Sequence, residues 1–337
     1  MFKRLLTLAT DKIHGLPVLV LMPHSRCNCR CVMCDIWKAN SDKKEITTEE
    51  LARHINSFKS LGVRHIAFSG GEALMHSNLW KFCELLKSIN IKISLLSTGI
   101  TLKTHAVDVV KHTDDVIVSL DGPRDIHNQI RNLSSAYEKL QAGVKAVKEI
   151  SPAFKISGRC VLQKLNYKYL FDIILASKAL GLDQISFLAA DVSTSAFNHN
   201  EPWTNEKRVE ISLNEEESDE FDHIVQESFV KFSDLYKNKF IAESPSKMKS
   251  LSQYYKAILG KASFPVKQCN APWVSAVIEA DGEVRPCFFH RPYGNIFDKL
   301  LPEVLNSPSA IQFRKNLNMK KDPICERCVC SLHIGIA

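Results

Sequence analysis

The stretch Ser25-Arg26-Cys27-Asn28-Cys29-Arg30-Cys31-Val32-Met33-Cys34-Asp35-Ile36-Trp37 decides how the rest of the chain is read. Cys27, Cys31 and Cys34 have the spacing C-x3-C-x2-C. Three thiolates on one short loop can hold three irons of a cubane [4Fe–4S] cluster, because soft sulfur ligands suit iron–sulfur centres. The fourth iron then has no ligand from this loop and is open to a small chelating molecule. The competing reading is a zinc site, with Cys29 as the fourth protein ligand. Under the cluster reading Cys29 is a passenger thiol beside the loop.

The surroundings of the loop narrow its meaning. The chain has 337 residues, enough for one large domain and a small one. A hydrophobic share of 45% with 24% charged residues is that of a globular protein rather than a disordered one. The net charge of +7 is carried by no long basic run, so it reads as a solvated surface without a nucleic-acid module. No stretch approaches the ~20 apolar residues of a membrane span, and no secretory signal opens the chain. Eleven cysteines in such a chain read as metal ligands rather than disulfides, and the expected location is the cytoplasm.

Working outward, residues 17–190 alternate short β-branched runs with amphipathic helical patterns. Pro17–Met22 reads as a buried strand feeding the cysteine loop. Thr47 with Glu50 fits a capping box, apolar residues from Leu51 to Leu61 follow at helical spacing, and Gly62 stops that helix. Strands around 63–69, 91–96, 115–120, 154–162 and 184–188 follow, separated by helices near 79–88, 104–111, 135–149 and 168–180. Six β-then-α units imply a parallel sheet with right-handed crossovers, two units short of a closed eight-fold barrel. The expected fold class is therefore α/β, a partial (β/α)6 TIM-like barrel.

The division expected is an N-terminal segment 1–16, the barrel 17–190, a helical connecting insertion 191–268 and a small α+β domain 269–337. The first segment is expected to pack on the barrel. The insertion, with its acidic run Glu215–Glu217, reads as a connection with a solvated charged face, or as a lid past the sixth strand. Within the last domain, Val274–Glu279 and Glu283–Phe288 read as a hairpin turned at Asp281-Gly282.

The cysteine loop resembles the signature of the radical SAM family. The resemblance implies that the open iron takes the amino and carboxylate groups of S-adenosylmethionine. It further implies reductive cleavage to methionine and a 5′-deoxyadenosyl radical that abstracts hydrogen from a substrate. Ser69-Gly70-Gly71-Glu72, at the end of the second strand, is similar to the family motif that holds the methionine amino group. Ser119 and Asp121, in Ser119-Leu120-Asp121-Gly122, resemble residues that approach the ribose or methionine. Ser97 and Thr98 lie at the end of the third strand and Arg159 in the fifth; the guanidinium of Arg159 would suit the methionine carboxylate. Each of these residues reads equally well as a turn cap or surface polar group. His127 and Arg131 fit a family segment of the form H-x-x-x-R, read here as architecture near the site.

The C-terminal cysteines form a second constellation. Cys269-x12-Gly282-x4-Cys287 followed by Cys325-x2-Cys328 resembles the SPASM extension in its shortened twitch form, which holds one auxiliary [4Fe–4S] cluster on four cysteines. Cys330 competes for a place in that set, and four-cysteine zinc is the alternative. A fully ligated cluster would pass electrons. Cys83 and Cys160 read as buried core thiols. Asp191, Glu201 and His199 are candidate proton acceptors, none of them fixed by a motif. The resulting expectation is a radical SAM enzyme of oxidoreductase or lyase type, acting on a small molecule and drawing electrons from a flavodoxin or ferredoxin. A peptide maturase is the first alternative; the barrel's start near residue 17 leaves no preceding domain to grip a leader peptide. A non-catalytic zinc or iron–sulfur protein is the second.

Overall fold

The computed structural model describes residues 2–194, 196–197 and 203–335. His199 and Glu201 lie outside the described residues. Six parallel strands form the body: β1 (Val18–Leu21), β2 (His65–Phe68), β3 (Lys92–Ser97), β4 (Asp115–Ser119), β5 (Lys155–Leu162) and β6 (Gln184–Ala189). Ahead of β1 runs α1 (Phe2–Thr10). Between β1 and β2 lie α2 (Thr48–Arg53) and α3 (Ile55–Leu61). Then come α4 (Leu79–Lys87) after β2, α5 (Ala106–His112) after β3, α6 (Arg124–Arg131) and α7 (Ala136–Ile150) after β4, and α8 (Leu170–Ala179) after β5.

The expected capping box is present: Glu50 N–H donates to the Thr47 hydroxyl and Thr47 N–H donates to the Glu50 carboxylate. The helix it opens breaks at His54, so the single expected helix is two, and Gly62 closes the second at φ 68°. The core follows from strand alternation. Leu19, Leu21, Ile66, Phe68, Ile93, Leu95, Val116 and Val118 all point to the helical side and are buried. Each such side chain contributes about 1.5–3 kcal/mol relative to exposure. Their neighbours on the other parity, such as Val20, Ala67 and Ser119, line the partly open concave face.

Two features were not expected. The strand order is β6-β5-β4-β3-β2-β1-β7-β8-β9, where β7 is Ser275–Ile278, β8 Glu283–Arg285 and β9 Gly294–Asn295. The first strand of the C-terminal hairpin thus pairs in parallel with β1, and the small domain extends the barrel sheet. β6 and β9 are the ends of this order, so pairing does not close the barrel. The hairpin itself turns at Asp281-Gly282 as expected, with Gly282 at φ 83°.

The insertion forms α9 (Asn205–Ile211), α10 (Glu215–Lys231), α11 (Ser233–Lys237) and α12 (Pro245–Ile258). The acidic run is the first turn of α10, where Asn214 and Glu217 make a second capping box and negative charge meets the positive helix end. Residues 240–242 run along β6: Ile185 N–H donates to Phe240 O at 2.8 Å and Ala242 N–H to Ile185 O at 2.9 Å. The insertion therefore covers the open barrel edge and buries Phe221, Val225 and Tyr255 in a second core with Phe187 and Ile185.

The C-terminal part adds α13 (Ala271–Val274), α14 (Leu301–Leu305), α15 (Pro308–Asn316) and α16 (Pro323–Arg327). The N-terminal segment packs on the barrel, with Leu16 N–H on Leu61 O, and also on this last domain. Trp273 Nε1 donates to Asp11, and the buried Arg314 donates to Asp11 O and Leu305 O.

Candidate functional site

β1 ends in the cysteine loop, which is clamped by its neighbours. Cys27 N–H donates to Asn40 Oδ1 and Asn40 Nδ2 returns a bond to Cys27 O, both at 2.9 Å. Arg30 N–H donates to Arg131 O and Val32 N–H to Ile130 O, tying the loop to the end of α6. Asp35 N–H donates to Phe197 O in the segment after β6. The Gly-Gly turn after β2 presses on the loop from below. A side chain at Gly71 would put its Cβ 2.0 Å from Arg26 O, and Gly70 at φ 105° faces Met22 and His24. Glu72 N–H donates to the same Arg26 carbonyl at 2.9 Å. The glycines thus seat the loop as well as the turn.

The thiols differ in environment. Burial pushes the Cys27 thiol up to about 12 and raises that of Cys34. Cys31 is held down at about 6, first by the Cys29 thiol that donates to it and then by the Arg131 guanidinium, whose Nη1 lies 3.4 Å from its sulfur. Two thiols raised by burial are poor anions on their own and need cationic partners, as cluster irons provide. Among the described residues no three cysteine sulfurs lie within 4.8 Å of one another.

The other expected residues are placed as follows. Glu72 is fully buried, and its carboxylate accepts four bonds: Leu74 N–H at 3.3 Å, Ser97 Oγ at 3.0 Å, Thr98 N–H at 2.7 Å and Thr98 Oγ1 at 2.6 Å. Burial raises its pKa while these donors oppose the rise. Ser97 and Thr98 therefore meet Glu72, and the Thr98 hydroxyl also lies 2.9 Å from the Asn28 amide in the cysteine loop. Asp121 is wholly buried, accepts Val161 N–H at 2.9 Å and is ion-paired to Arg131. Ser119 is half-buried on β4 beside Arg159, whose Nε reaches Ser186 Oγ on β6 at 3.3 Å. Asp191 caps its own turn through Ser193 and Thr194. Asn28 and Arg131 as site residues were missed or underread, because their partners are distant in sequence.

A cavity of about 460 Å³ opens above the glycine turn. Met22, Gly70, Gly71 and Ile36 line one side; Phe197, Glu279, Arg285 and Phe288 line the other. The β7–β8 hairpin therefore faces the cofactor motifs across the cavity. Glu279 and Arg285 form an ion pair at 2.9 Å on that wall, and Phe197 stacks on Phe288 at 6.2 Å.

The C-terminal cysteines come from three stretches: Cys269 before α13, Cys287 after β8, and Cys325, Cys328 and Cys330 on and just after α16. Burial pushes Cys287 up to about 11, and the nearby Cys328 and Cys269 sulfurs add to the rise. Cys328 and Cys330 sulfurs are 4.0 Å apart. Asp322 caps α16 by accepting Ile324 and Cys325 N–H groups, and the buried His290 lies 3.3 Å from the Cys325 sulfur. His290 was not singled out in the sequence; its place three residues after Cys287 was the only signal for it.

Residues 21–175 match the Radical SAM superfamily, and residues 269–329 match an iron-sulfur cluster-binding domain, SPASM. The chain carries a radical SAM domain followed by a SPASM iron–sulfur domain. The two matched families imply a [4Fe–4S] cluster, S-adenosylmethionine and an auxiliary iron–sulfur cluster, and the cysteines for both clusters are present.

Among curated relatives, Fe-coproporphyrin III synthase of Methanosarcina barkeri is 27% identical over 168 residues, 48% of this chain and 42% of the relative. A GTP 3',8-cyclase of Staphylococcus epidermidis is 30% identical over 171 residues, 46% of this chain and 48% of the relative. The subtilosin biosynthesis protein AlbA of Bacillus subtilis is 22% identical over 295 residues, 84% of this chain and 58% of the relative. The chain thus matches less than half the length of the first two. The fold is similar to that of Streptococcus suis SuiB bound to its precursor peptide SuiA (TM-score 0.68, 13% identity, 97% of this chain and 74% of that one). It is also similar to anSMEcpe with bound AdoMet (TM-score 0.65, 21% identity, 89% and 82%). No helix among the described residues is long and apolar enough to cross a membrane.

Proposed function

We propose that this protein is a radical SAM enzyme whose Cys27, Cys31 and Cys34 hold the cofactor-binding cluster on the loop that is seated against Gly70 and Gly71. The observation that carries the reading is the docking of the glycine turn on the cysteine loop; Gly70, Gly71 and the residues Ser25 and Ile36 on either side of the three cysteines also line a cavity of about 460 Å³. When bound, the cluster supplies the electron that cleaves S-adenosylmethionine to methionine and a 5′-deoxyadenosyl radical. The chain's own residues supply placement. Met22 and Ile36 offer apolar contacts, and the glycines leave room for a ligand beside the backbone. Glu72 braces the ends of β2 and β3 through Ser97 and Thr98, so its four acceptor positions are already used. Ser119 and Arg159 remain polar groups on the concave face for the cofactor's carboxylate or ribose. Cys269, Cys287, Cys325 and Cys328 would hold the auxiliary cluster, which would supply an electron path to or from the substrate. An external one-electron donor of flavodoxin or ferredoxin type reduces the first cluster.

The first reading is a small-molecule substrate, in keeping with relatives such as the GTP 3',8-cyclase. Removal of hydrogen from it would lead to dehydrogenation, decarboxylation or bond formation. A peptide substrate is the second reading. The similarity to AlbA spans 84% of the chain, and the fold is close to that of SuiB, a structure that holds a precursor peptide.

Anoxic purification, with iron and sulfide counted and 5′-deoxyadenosine measured after dithionite and S-adenosylmethionine, tests the enzyme reading. About eight irons per chain is expected for two cubanes. Stoichiometric zinc, or no nucleoside product, ends it. Nucleoside release stimulated by precursor peptides encoded beside the gene, and not by a small-metabolite pool, selects the second reading.

A further inference from the structure

One motif still has no role: His127-x-x-x-Arg131 on α6. In the structure Arg131 is 6% exposed and Asp121 is 0% exposed, and the two form an ion pair. The other face of the guanidinium meets the cysteine loop, with Nη1 3.4 Å from the Cys31 sulfur. Asp121 is fixed in turn, since its carboxylate accepts Val161 N–H and its own N–H donates to His127 Nδ1 at 3.1 Å. The chain Val161–Asp121–Arg131–Cys31 therefore links β5 to a thiolate expected on the cluster.

We infer that Arg131 and Asp121 set the reduction potential of the cofactor-binding cluster through Cys31. The inference rests on Cys31 being a ligand of that cluster. Reduction adds negative charge to the iron–sulfur core and its sulfurs. A buried cation that donates to one sulfur favours the reduced state and raises the potential. Asp121 offsets part of that cation in a region of low dielectric. A balanced pair gives a moderate pull, and loss of either member tips it in a defined direction. Cys29 adds a neutral donor to the same sulfur. Arg131 is thus a positioning and tuning residue and does not touch substrate.

The test is a potentiometric titration of the full chain with both clusters loaded, followed by electron paramagnetic resonance. The relevant signal is the one that S-adenosylmethionine perturbs in a parallel sample, and this separates it from the auxiliary cluster. R131Q removes the cation and leaves Asp121 uncompensated, so its midpoint moves to lower potential. D121N frees the guanidinium charge, so its midpoint moves to higher potential. R131K keeps the charge and stays near wild type. Midpoints of R131Q and D121N that coincide with wild type, or that move in the same direction, overturn the inference. If R131Q does not retain iron, D121N decides, and an unmoved or lower midpoint for it overturns the inference. Failure of the underlying ligand reading looks different, because C31A would then keep its full iron and its response to S-adenosylmethionine.

Discussion

The two cysteine sites are built in different ways. The N-terminal one is a single short loop held by backbone bonds to α6, to Asn40, to the glycine turn and to the segment after β6. The C-terminal one gathers Cys269, Cys287 and the run Cys325–Cys330 from three separate stretches, with a second hydrophobic core behind them. In the first, the protein fixes the ligands before any metal arrives. In the second, separate stretches of chain meet, with Asn270 N–H donating to Leu332 O and Lys267 Nζ to Glu326 O. As proposed ligands, the loop's Cys27, Cys31 and Cys34 would leave a coordination position open, whereas the C-terminal site has more sulfurs than a cubane requires.

The strongest test of this contrast is Cys31→Ala. It should reduce 5′-deoxyadenosine formation to background while the auxiliary cluster keeps its four irons, as read by iron analysis and electron paramagnetic resonance. Next is iron removal by chelation under anoxia. Metal-binding energy becomes folding energy where the site is not preformed, so residues 318–335 should become protease-sensitive first. Equal loss of protection in the barrel would erase the distinction. A smaller effect is expected from Glu72→Gln. The new amide turns NH2 toward N–H and O–H donors and leaves a buried donor unmatched, lowering unfolding free energy by about 1–3 kcal/mol in denaturant titration.

Two histidines give the loop a pH dependence of known sign. Burial holds His127 down at about 3 and His24 down at about 4, and each ring accepts a backbone N–H. The folded state binds these protons later than the unfolded chain, whose histidines titrate near 6.5. Stability near the loop is therefore full above pH 6.5 and falls as pH drops toward 4. Hydrogen-exchange protection factors at α6 should fall over that range, and His127→Asn, which keeps an acceptor, should flatten the change. The smallest effect belongs to Cys330→Ala, which should leave iron content unchanged if Cys269, Cys287, Cys325 and Cys328 suffice. A drop of four irons would place Cys330 among the ligands.

Much of the barrel was legible because its signals are local. Alternation along β2 to β6, the Thr47–Glu50 capping box and Gly62 each act within a few residues. The Gly70-Gly71 turn and the spacing of Cys27, Cys31 and Cys34 are local patterns of the same kind. What was hidden depends on distant partners. The pairing of β7 with β1 joins segments with no shared local pattern. Arg131 touches Cys31 from 100 positions away, and Glu72 draws its donors from Ser97 and Thr98 after an intervening helix. Residue type alone suggested polar contacts to a cofactor for Glu72, Thr98 and Asp121; in the folded chain their side chains bond to one another or to Arg131.

The parallel seam between β1 and β7 also constrains how the protein can be shortened. A fragment ending before Ser275 would strip β1 of its outer neighbour and leave a bare row of amides and carbonyls. Because that raw border runs straight into the cysteine loop, such a fragment would be prone to stick to its own copies and to lose its hold on the loop.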